Sequence, residues 1–376
     1  MTGENARAAG NYLIVSPHDL RTPRRVNVHF IAEQLGKRGK VRFFSIGFSL
    51  LSYLRADPRL SIADRAERIE QFHGIECFLG KTVWHPFNVR VAWLRWASRL
   101  LFKRYRRLVS DVFKRWVELS DTIILDSGIP AIFIAMIRRH NPKARIIYLA
   151  SDLLDTVGFD PFVAEELRRT LSQLDEIVVP SRRMAHAFRP HPNVRYVPHG
   201  LDASIADAGD PSPYDGGINA ISVGSMLFDR GFFEIAAPAL PDVTFHIIGG
   251  GRHAENLAYA NIRTYGEMPF AETLRYIKHA QVGIAPYNAE KAEDYLCDTS
   301  MKLMQYGFFR IPAVCPHVVV GDHAGRFGYV PGDPASIEQA VRDALAGGKI
   351  SPPTILTWSE VTDRILSPQN YADTRP

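Results

Sequence analysis

Short apolar runs alternate with longer amphipathic stretches through most of the chain. Each run has the length of a buried strand, and most are followed by a polar loop and a pattern of helical period. These strand-length runs lie at 12–16, 41–46, 75–79, 122–126, 145–148, 176–179, 194–197, 219–223, 243–248, 262–265, 282–286 and 311–315. Strands that alternate with helices in this way predict an α/β protein with parallel sheets covered by helices.

A break in this alternation divides the chain into two predicted domains. The length of 376 residues exceeds that of one typical domain. Residues 203–217 read ASIADAGDPSPYDGG, which is rich in Gly, Pro, Ser and Asp and has no periodicity, as expected of a linker. We therefore predict a Rossmann-like domain at 1–203, a linker at 204–217 and a second Rossmann-like domain at 218–355.

The stretch at 282–314 carries the most specific local pattern. A buried strand leads into a polar loop that ends in Asp298-Thr299-Ser300, and such residues before a helical run are an N-cap signal. Free backbone N–H groups at that helix start, with Lys302 in the first turn, make an anion site suited to a diphosphate. Gln305 lies one turn further on the same face, where a sugar hydroxyl can bond to it. The alternative is an ordinary capped helix with a solvated lysine.

The loop after the first strand concentrates polar side chains at the carboxyl edge of the predicted sheet. It contains one histidine, one aspartate and three arginines, namely His18, Asp19, Arg21, Arg24 and Arg25. Ligands bind at this edge in open α/β sheets, and arginine suits bidentate recognition of phosphate or carboxylate. The position favours ligand contact, and the alternative is a solvated loop whose arginines pair with nearby acids.

Asp152 follows the strand at 145–148 and is expected at the same edge of the sheet. A carboxylate in that place can act as a general base toward a sugar hydroxyl. The alternative is that Asp152 caps the next helix, and the sequence leaves both interpretations open.

Composition limits the class of protein and its compartment. The chain is 46% hydrophobic and 23% charged, as soluble globular proteins are. Three scattered cysteines, Cys77, Cys297 and Cys315, have no metal-ligand spacing and indicate a reducing compartment without disulfides. The polar N-terminus lacks the apolar segment of a signal peptide, and no run of about 18 apolar residues is present. We expect a cytosolic protein or one on the cytosolic face of a membrane.

The net charge of +5 comes from one segment. Residues 90–118 contain nine Lys or Arg and two acids, a charge of +7, so the rest of the chain sums to −2. Leu94, Leu101, Tyr105, Leu108, Val112 and Trp116 recur at helical spacing, while Trp93, Trp96, Leu100 and Phe102 add further apolar surface. Basic residues interleaved with aromatic ones suit an anionic membrane surface. The alternative is a Rossmann helix with a basic solvent-facing side, and nucleic acid is not expected as a partner.

Several sequence blocks resemble the xanthan-type glucuronosyltransferase family. The blocks occupy both halves of the chain: HDLRTPRR at 18–25, DPSPY at 210–214, VGSMLFD at 223–229, YGEM at 265–268, YIKHA at 276–280, GIAPY at 283–287, SMKL at 300–303 and RFGY at 326–329. The resemblance implies the GT-B fold, in which two Rossmann-like domains with parallel sheets face a cleft. It also implies that the C-terminal segment 356–376 packs back on the first domain.

The same resemblance implies a reaction and a set of site residues. It describes an inverting, metal-independent glycosyltransferase, peripheral or monotopic on the cytoplasmic face of the inner membrane. Such an enzyme moves glucuronate from UDP-glucuronate to a mannose of a polyprenyl-diphosphate-linked oligosaccharide in bacterial exopolysaccharide biosynthesis. Asp152 matches the catalytic base, and Asp202 and Asp229 match important acidic positions. The residues that match the UDP-sugar site are Met226, Glu267, Met268, Tyr287, Met301, Lys302 and Gln305.

The residues agree with this resemblance at the diphosphate. The chain has no D-x-D pair to hold a divalent metal, so Lys302 and the helix start must stabilise the departing UDP, and no cofactor is expected. One of Arg21, Arg24 and Arg25 would then meet the glucuronate carboxylate.

Two alternatives keep the fold and change the function. One is transfer of a different UDP-sugar, and the other is a UDP-sugar 2-epimerase, which would leave the basic aromatic segment without a purpose. The absence of G-x-G-x-x-G after the first strand argues against a dinucleotide enzyme. A nucleic-acid-binding protein would leave the second domain unexplained.

Overall fold

The computed structural model describes residues 10–22, 25–54, 57–86, 95–108, 110–156, 158–201, 205 and 210–375. They form two compact units. Unit 1 comprises Met1–Val197 and Trp358–Pro376, and unit 2 comprises Pro198–Thr357. Arg24, Asp202, the 87–94 part of the basic segment and most of the predicted linker up to residue 209 lie outside the described residues.

Unit 1 is built on one sheet with helices on its faces. Its strands and helices up to residue 197 are β1 (Gly10–Ser16), α1 (Asn27–Gly36), β2 (Gly39–Ser49), α2 (Leu50–Leu54), β3 (Ile69–Phe72), β4 (Ile75–Thr82), α3 (Arg95–Tyr105), α4 (Asp111–Glu118), β5 (Thr122–Asp126), α5 (Ile134–His140), β6 (Arg145–Leu149), α6 (Pro161–Thr170), β7 (Glu176–Val179) and β8 (Val194–Tyr196). In the described residues the sheet has eight strands in the order β3-β4-β2-β1-β5-β6-β7-β8. Leu13, Ile14 and Val15 of β1 are fully buried, as expected for a central parallel strand covered on both faces.

Strand β3 was not predicted from the sequence. The segment Ile69–Phe72 lies in none of the strand-length apolar runs of the sequence, but it pairs antiparallel with β4. His73 and Gly74 connect the two strands and have φ values of 48° and 78°. Positive φ at both residues of a two-residue loop is the geometry that joins a tight hairpin, so local turn chemistry determines this edge strand.

In its described residues the basic segment forms two helices, α3 and α4, rather than one continuous stripe. Ser110 caps α4 by accepting a hydrogen bond from Phe113 N, and this break changes the helical phase. Phe102, expected to be surplus surface, is 2% exposed and its ring centroid lies 5.1 Å from that of Phe162. Leu108, expected on the buried stripe, is 50% exposed.

Unit 2 contains a second sheet. Its strands and helices are β9 (Ile218–Val223), α7 (Arg230–Ala239), β10 (Val243–Ile248), β11 (Ile262–Tyr265), α8 (Phe270–His279), β12 (Val282–Ile284), α9 (Leu296–Thr299), α10 (Met301–Phe308), β13 (Ala313–Pro316), β14 (Arg326–Tyr329) and α11 (Pro334–Gly347). The described strands pair in parallel in the order β11-β10-β9-β12-β13-β14. Phe232, Phe233 and Phe245 lie in its buried core. The predicted α/β class with parallel sheets is therefore confirmed.

Helix α12 (Trp358–Leu366) follows unit 2 in the sequence and packs in unit 1. The ring of Trp358 stacks on that of Phe30 in α1, with centroids 5.1 Å apart and planes 2° from parallel. Arg38 Nη1 donates to Asp363 Oδ1 at 2.8 Å, and Arg145 Nη1 donates to the Leu366 carbonyl at 2.5 Å. Among the described residues, no helix has the length and apolar character needed to cross a membrane.

Candidate active site

Helix α10 begins at a fixed point in unit 2. The Ser300 hydroxyl accepts a hydrogen bond from Leu303 N at 3.3 Å and lies 2.6 Å from the phenol oxygen of Tyr287. Tyr287 is 1% exposed and follows β12. The start of α10 is thus held by a buried tyrosine, and the first backbone N–H groups of any α-helix lack intrahelical acceptors. Such a helix start suits an anion.

Lys302 adds a positive charge to this helix start. Its side chain is half-buried, and Nζ lies 4.8 Å from the centroid of the Tyr287 ring, a cation–π distance. Burial lowers the pKa of the Lys302 amine to about 8. A bound diphosphate would place negative charge beside this amine and stabilise its protonated form. Because burial disfavours the protonated form, an anion stabilises Lys302 more here than it would at an open surface.

The loops after β9 and β12 join beside Lys302. Phe228 and Tyr287 form an isolated antiparallel bridge, and Asp229 N donates to the Pro286 carbonyl at 2.7 Å. Asp229 Oδ1 accepts from Gly231 N at 2.9 Å, so this carboxylate caps α7. Burial raises the pKa of Asp229, although the Gly231 hydrogen bond opposes that shift. The predicted acidic residue Asp229 therefore supports the loop that carries Met226.

The other predicted donor residues lie on the same edge of the unit 2 sheet. Met226 is 41% exposed after β9, and Glu267 is exposed after β11. Gly249 follows β10 with a φ of 63° and lies next to Glu267. A Cβ added to Gly249 would be 3.8 Å from Glu267 Cγ. Met268 is half-buried beside Glu267. Along α10, Met301 is half-buried like Lys302, and Gln305 is 7% exposed one turn further on.

Asp152 lies at the carboxyl edge of the unit 1 sheet. Helix α6 is capped by Asp160, whose Oδ1 accepts from Phe162 N at 2.9 Å, so Asp152 is not the cap of that helix. Asp152 is half-buried three residues after the end of β6. Burial, followed by the nearby charge of Asp126, raises the pKa of Asp152 to about 7. A carboxylate with a pKa near neutrality has the strength a general base needs.

A buried polar network next to Asp152 was missed by the sequence reasoning. Asp126, the last residue of β5, accepts a hydrogen bond from Ser16 Oγ at 2.7 Å and from Ser127 N at 2.9 Å. Burial raises the pKa of Asp126 to about 6, against hydrogen bonds from Ser16, Ser127 and Ser151. Ser151 in turn accepts from Asn27 Nδ2 at 2.8 Å. The sequence does place Asp126 at the carboxyl end of a predicted strand, and this position could have identified it as a candidate site residue.

The arginines of the loop after β1 lie in ion pairs. Arg21 Nε donates to Asp19 Oδ1 at 2.9 Å and Arg21 Nη1 donates to Glu70 Oε2 at 2.7 Å, and its side chain is 1% exposed. Arg25 Nη2 donates to Glu33 Oε1 at 2.7 Å. For both residues the structure favours the alternative in which loop arginines pair with nearby acids. His18 N donates to Ser16 Oγ at 3.0 Å, which places this loop beside Asp126.

One cluster offers possible metal ligands in the part of unit 2 that is described. Single ligand atoms of Cys297, Asp298 and His323 lie within 4.8 Å of one another. Asp298 Oδ1 already accepts a hydrogen bond from Cys297 Sγ at 3.3 Å and lies 3.0 Å from His323 Nε2. These contacts account for the cluster without a cation.

Two α/β sheets, parallel apart from the edge strand β3, with polar groups at their carboxyl edges fit the architecture of a GT-B glycosyltransferase, and solved structures agree. Sucrose-phosphate synthase from Thermosynechococcus elongatus matches with a TM-score of 0.59 and 14% identity, covering 95% of this chain and 94% of that one. An Anabaena protein solved with UDP and glucose matches with a TM-score of 0.61 and 12% identity, covering 96% of this chain and 100% of that one. These likenesses establish the GT-B fold.

Sequence similarity defines the family within that fold. Residues 14–180 match the family model described as "Glucuronosyltransferase GumK, N-terminal domain". A "UDP-glucuronate:glycolipid 2-beta-glucuronosyltransferase" from Xanthomonas campestris pv. campestris is 45% identical over 364 residues, which cover 97% of this chain and 91% of the relative. The chain belongs to the GumK family of glucuronosyltransferases, and the resemblance predicted from its sequence blocks is confirmed.

Proposed function

We propose that this enzyme transfers glucuronate from UDP-glucuronate to a mannose of a polyprenyl-diphosphate-linked oligosaccharide in exopolysaccharide assembly. The observation that carries the proposal is the 45% identity, across both units, to a relative named for UDP-glucuronate and a glycolipid. The capped start of α10 with Lys302 suits the diphosphate of the donor. Met226, Glu267, Met268, Tyr287, Met301 and Gln305 complete the proposed donor site.

The proposed reaction is a single displacement with inversion. Asp152 takes the proton of the acceptor hydroxyl, whose oxygen forms a bond to the anomeric carbon of glucuronate. The bond between that carbon and the UDP oxygen breaks, and the electron pair leaves with UDP. Lys302 and the backbone N–H groups of α10 stabilise the charge on the departing diphosphate, so the proposed mechanism needs no metal ion.

We also propose that unit 1 rests on an anionic membrane, which would hold the lipid-linked acceptor. Trp96 and Leu100 are 65% and 52% exposed on α3, and Lys103 and Arg104 continue the same helical face with exposed side chains. Exposed aromatic and aliphatic groups beside cations fit the interface of a bilayer with acidic headgroups. Arg99, one turn from Trp96, instead pairs with Glu165. This surface would place the protein peripherally on the cytoplasmic face of the inner membrane.

The test is turnover of a panel of UDP-sugars with a mannose-terminated, lipid-linked acceptor. UDP release with UDP-glucuronate and not with UDP-glucose is the expected result, and NMR of the product should show an inverted anomeric centre. Asp152→Asn should abolish release, while Asp155→Asn, in the exposed part of the same turn, should retain it. Activity that EDTA removes would contradict the metal-independent mechanism, and conversion of the UDP-sugar without acceptor would indicate an epimerase.

A further inference from the structure

The carboxyl ends of three neighbouring strands of unit 1 meet at one buried carboxylate. The sheet places β1 between β2 and β5, and β6 on the other side of β5. Asp126 ends β5 and accepts from Ser16 Oγ, at the end of β1. Asp126 also pairs across the sheet with Leu149, the last residue of β6, three positions before Asp152. Asp126 is 3% exposed, so it has little access to a substrate of its own.

We propose that Asp126 is a positioning residue for Asp152, keeping a second, fixed carboxylate at the end of the strand next to β6. This inference rests on the proposed role of Asp152. Two donors, Ser16 Oγ and Ser127 N, hold the Asp126 carboxylate in place, and Asn27 at the start of α1 donates to Ser151, the residue before Asp152. Asp152 itself is half-buried and keeps partial access to solvent.

The charge of Asp126 has a chemical consequence for Asp152. A nearby like charge disfavours ionisation, so Asp152 accepts a proton more readily than an isolated carboxylate. Other titratable groups on the adjoining segments include Tyr148 on β6, Asp155 after β6, and His18, Asp19, Arg21 and Arg25 after β1. Arg21 pairs with both Asp19 and Glu70, and Arg25 pairs with Glu33. Two coupled carboxylates release their protons in two steps. The pair, rather than either residue alone, therefore determines how kcat/KM falls on the acidic side of its pH profile.

The pH dependence of kcat/KM distinguishes this role from a purely structural one. For Asp126→Asn, which preserves shape and can still hydrogen-bond, the acidic limb should move to lower pH by about one unit. The matched control is Asp121→Asn, at the opposite end of β5, where Asp121 Oδ2 accepts from Asn11 N at 3.0 Å. Its acidic limb should coincide with that of the wild type. A lower rate with an unmoved limb in Asp126→Asn would overturn the proposal.

A direct titration separates this inference from the proposed function. The carboxyl carbon of Asp152, followed by NMR against pH, should titrate at lower pH in Asp126→Asn than in the wild type, whatever the sugar donor is. If the wild type fails to use UDP-glucuronate but this shift is seen, only the donor assignment is wrong. If Asp126→Asn does not fold, Ser16→Ala should give a smaller shift in the same direction, because Asp126 loses a hydrogen bond that favours its ionised form. An unchanged Asp152 titration in both variants would contradict the inference.

Discussion

Replacing Lys302 with methionine should stabilise unit 2 while it weakens diphosphate binding. The pKa of the Lys302 amine falls from 10.5 to about 8 through burial, so keeping it charged at pH 7 costs the folded state about 3 kcal/mol. The contact with the Tyr287 ring returns about 1 kcal/mol. Methionine has a similar length and no charge, so Lys302→Met should gain about 2 kcal/mol in the free energy of unfolding at pH 7.

The sign of the pH dependence follows from the same pKa. Between about pH 8 and 10.5 the unfolded chain binds more protons at Lys302 than the folded protein, so the stability of the wild type rises with pH in that range. Methionine does not titrate. The advantage of Lys302→Met should therefore narrow as the pH rises from 8 to 10.5.

Urea unfolding can assign the effect to unit 2. The five tryptophans all lie in the sequence ranges of unit 1: Trp84, Trp93, Trp96, Trp116 and Trp358. Tryptophan fluorescence therefore reports unit 1, and far-UV circular dichroism reports both units. The variant should raise the midpoint seen by circular dichroism more than that seen by fluorescence, and Lys349→Met, at an exposed site in unit 2, should change neither. A midpoint for Lys302→Met equal to or below that of the wild type at pH 7 would refute the reasoning.

Calorimetry tests the diphosphate contact itself. If the anion restores the ordinary pKa of Lys302, UDP binding at about pH 9 should take up about one proton, seen as a dependence of the binding enthalpy on the ionisation enthalpy of the buffer. Lys302→Met should bind UDP weakly and without proton uptake. Equal proton uptake in the two proteins would assign the titration to another group.

Three further changes test other parts of the structure. Arg21→Met leaves Asp19 unpaired in the core and should cost about 3 kcal/mol in urea unfolding, far more than Arg25→Met in a more exposed pair. Although burial raises the pKa of Asp19, the hydrogen bonds and charge of Arg21 lower it overall, so this difference should shrink as the pH falls below about 4. Trp358→Ala should lower the unfolding free energy by about 3 kcal/mol and Trp358→Phe by less, and a loss below 1 kcal/mol would contradict the packing of α12. Trp96→Ala should weaken sedimentation with phosphatidylglycerol vesicles, whereas Val318→Ala, an exposed site in unit 2, should not.

Features encoded by local periodicity were predictable from the sequence. The run at 12–16 lies within β1, and the N-cap signal before Met301 marks the true start of α10. Both depend on residues a few positions apart, where strand-length apolar runs and capping residues act directly on the backbone. The carboxyl-edge position of Asp152 followed in turn from the strand assignment.

Features that join distant parts of the chain were not predictable in the same way. Ser16 and Asp126 are separated by 110 positions, and only the order of β1 and β5 in the sheet brings their oxygens to 2.7 Å. Arg21 likewise meets Glu70 through β3, a strand that the periodicity did not indicate. A charged residue at a sheet edge therefore looks the same in sequence whether it faces a ligand or a buried partner.

The position of α12 has a consequence for the order in which the protein forms during synthesis. Unit 1 receives its last helix from residues 358–366, which the ribosome adds only after all of unit 2 has been made. Until then Phe30 in α1 has no Trp358 ring to stack on. The apolar surface of α1 that α12 buries in the finished protein therefore stays exposed to water. Unit 2, which is continuous in sequence from Pro198 to Thr357, can complete its core first. The first unit to be synthesised is thus the last to complete its core.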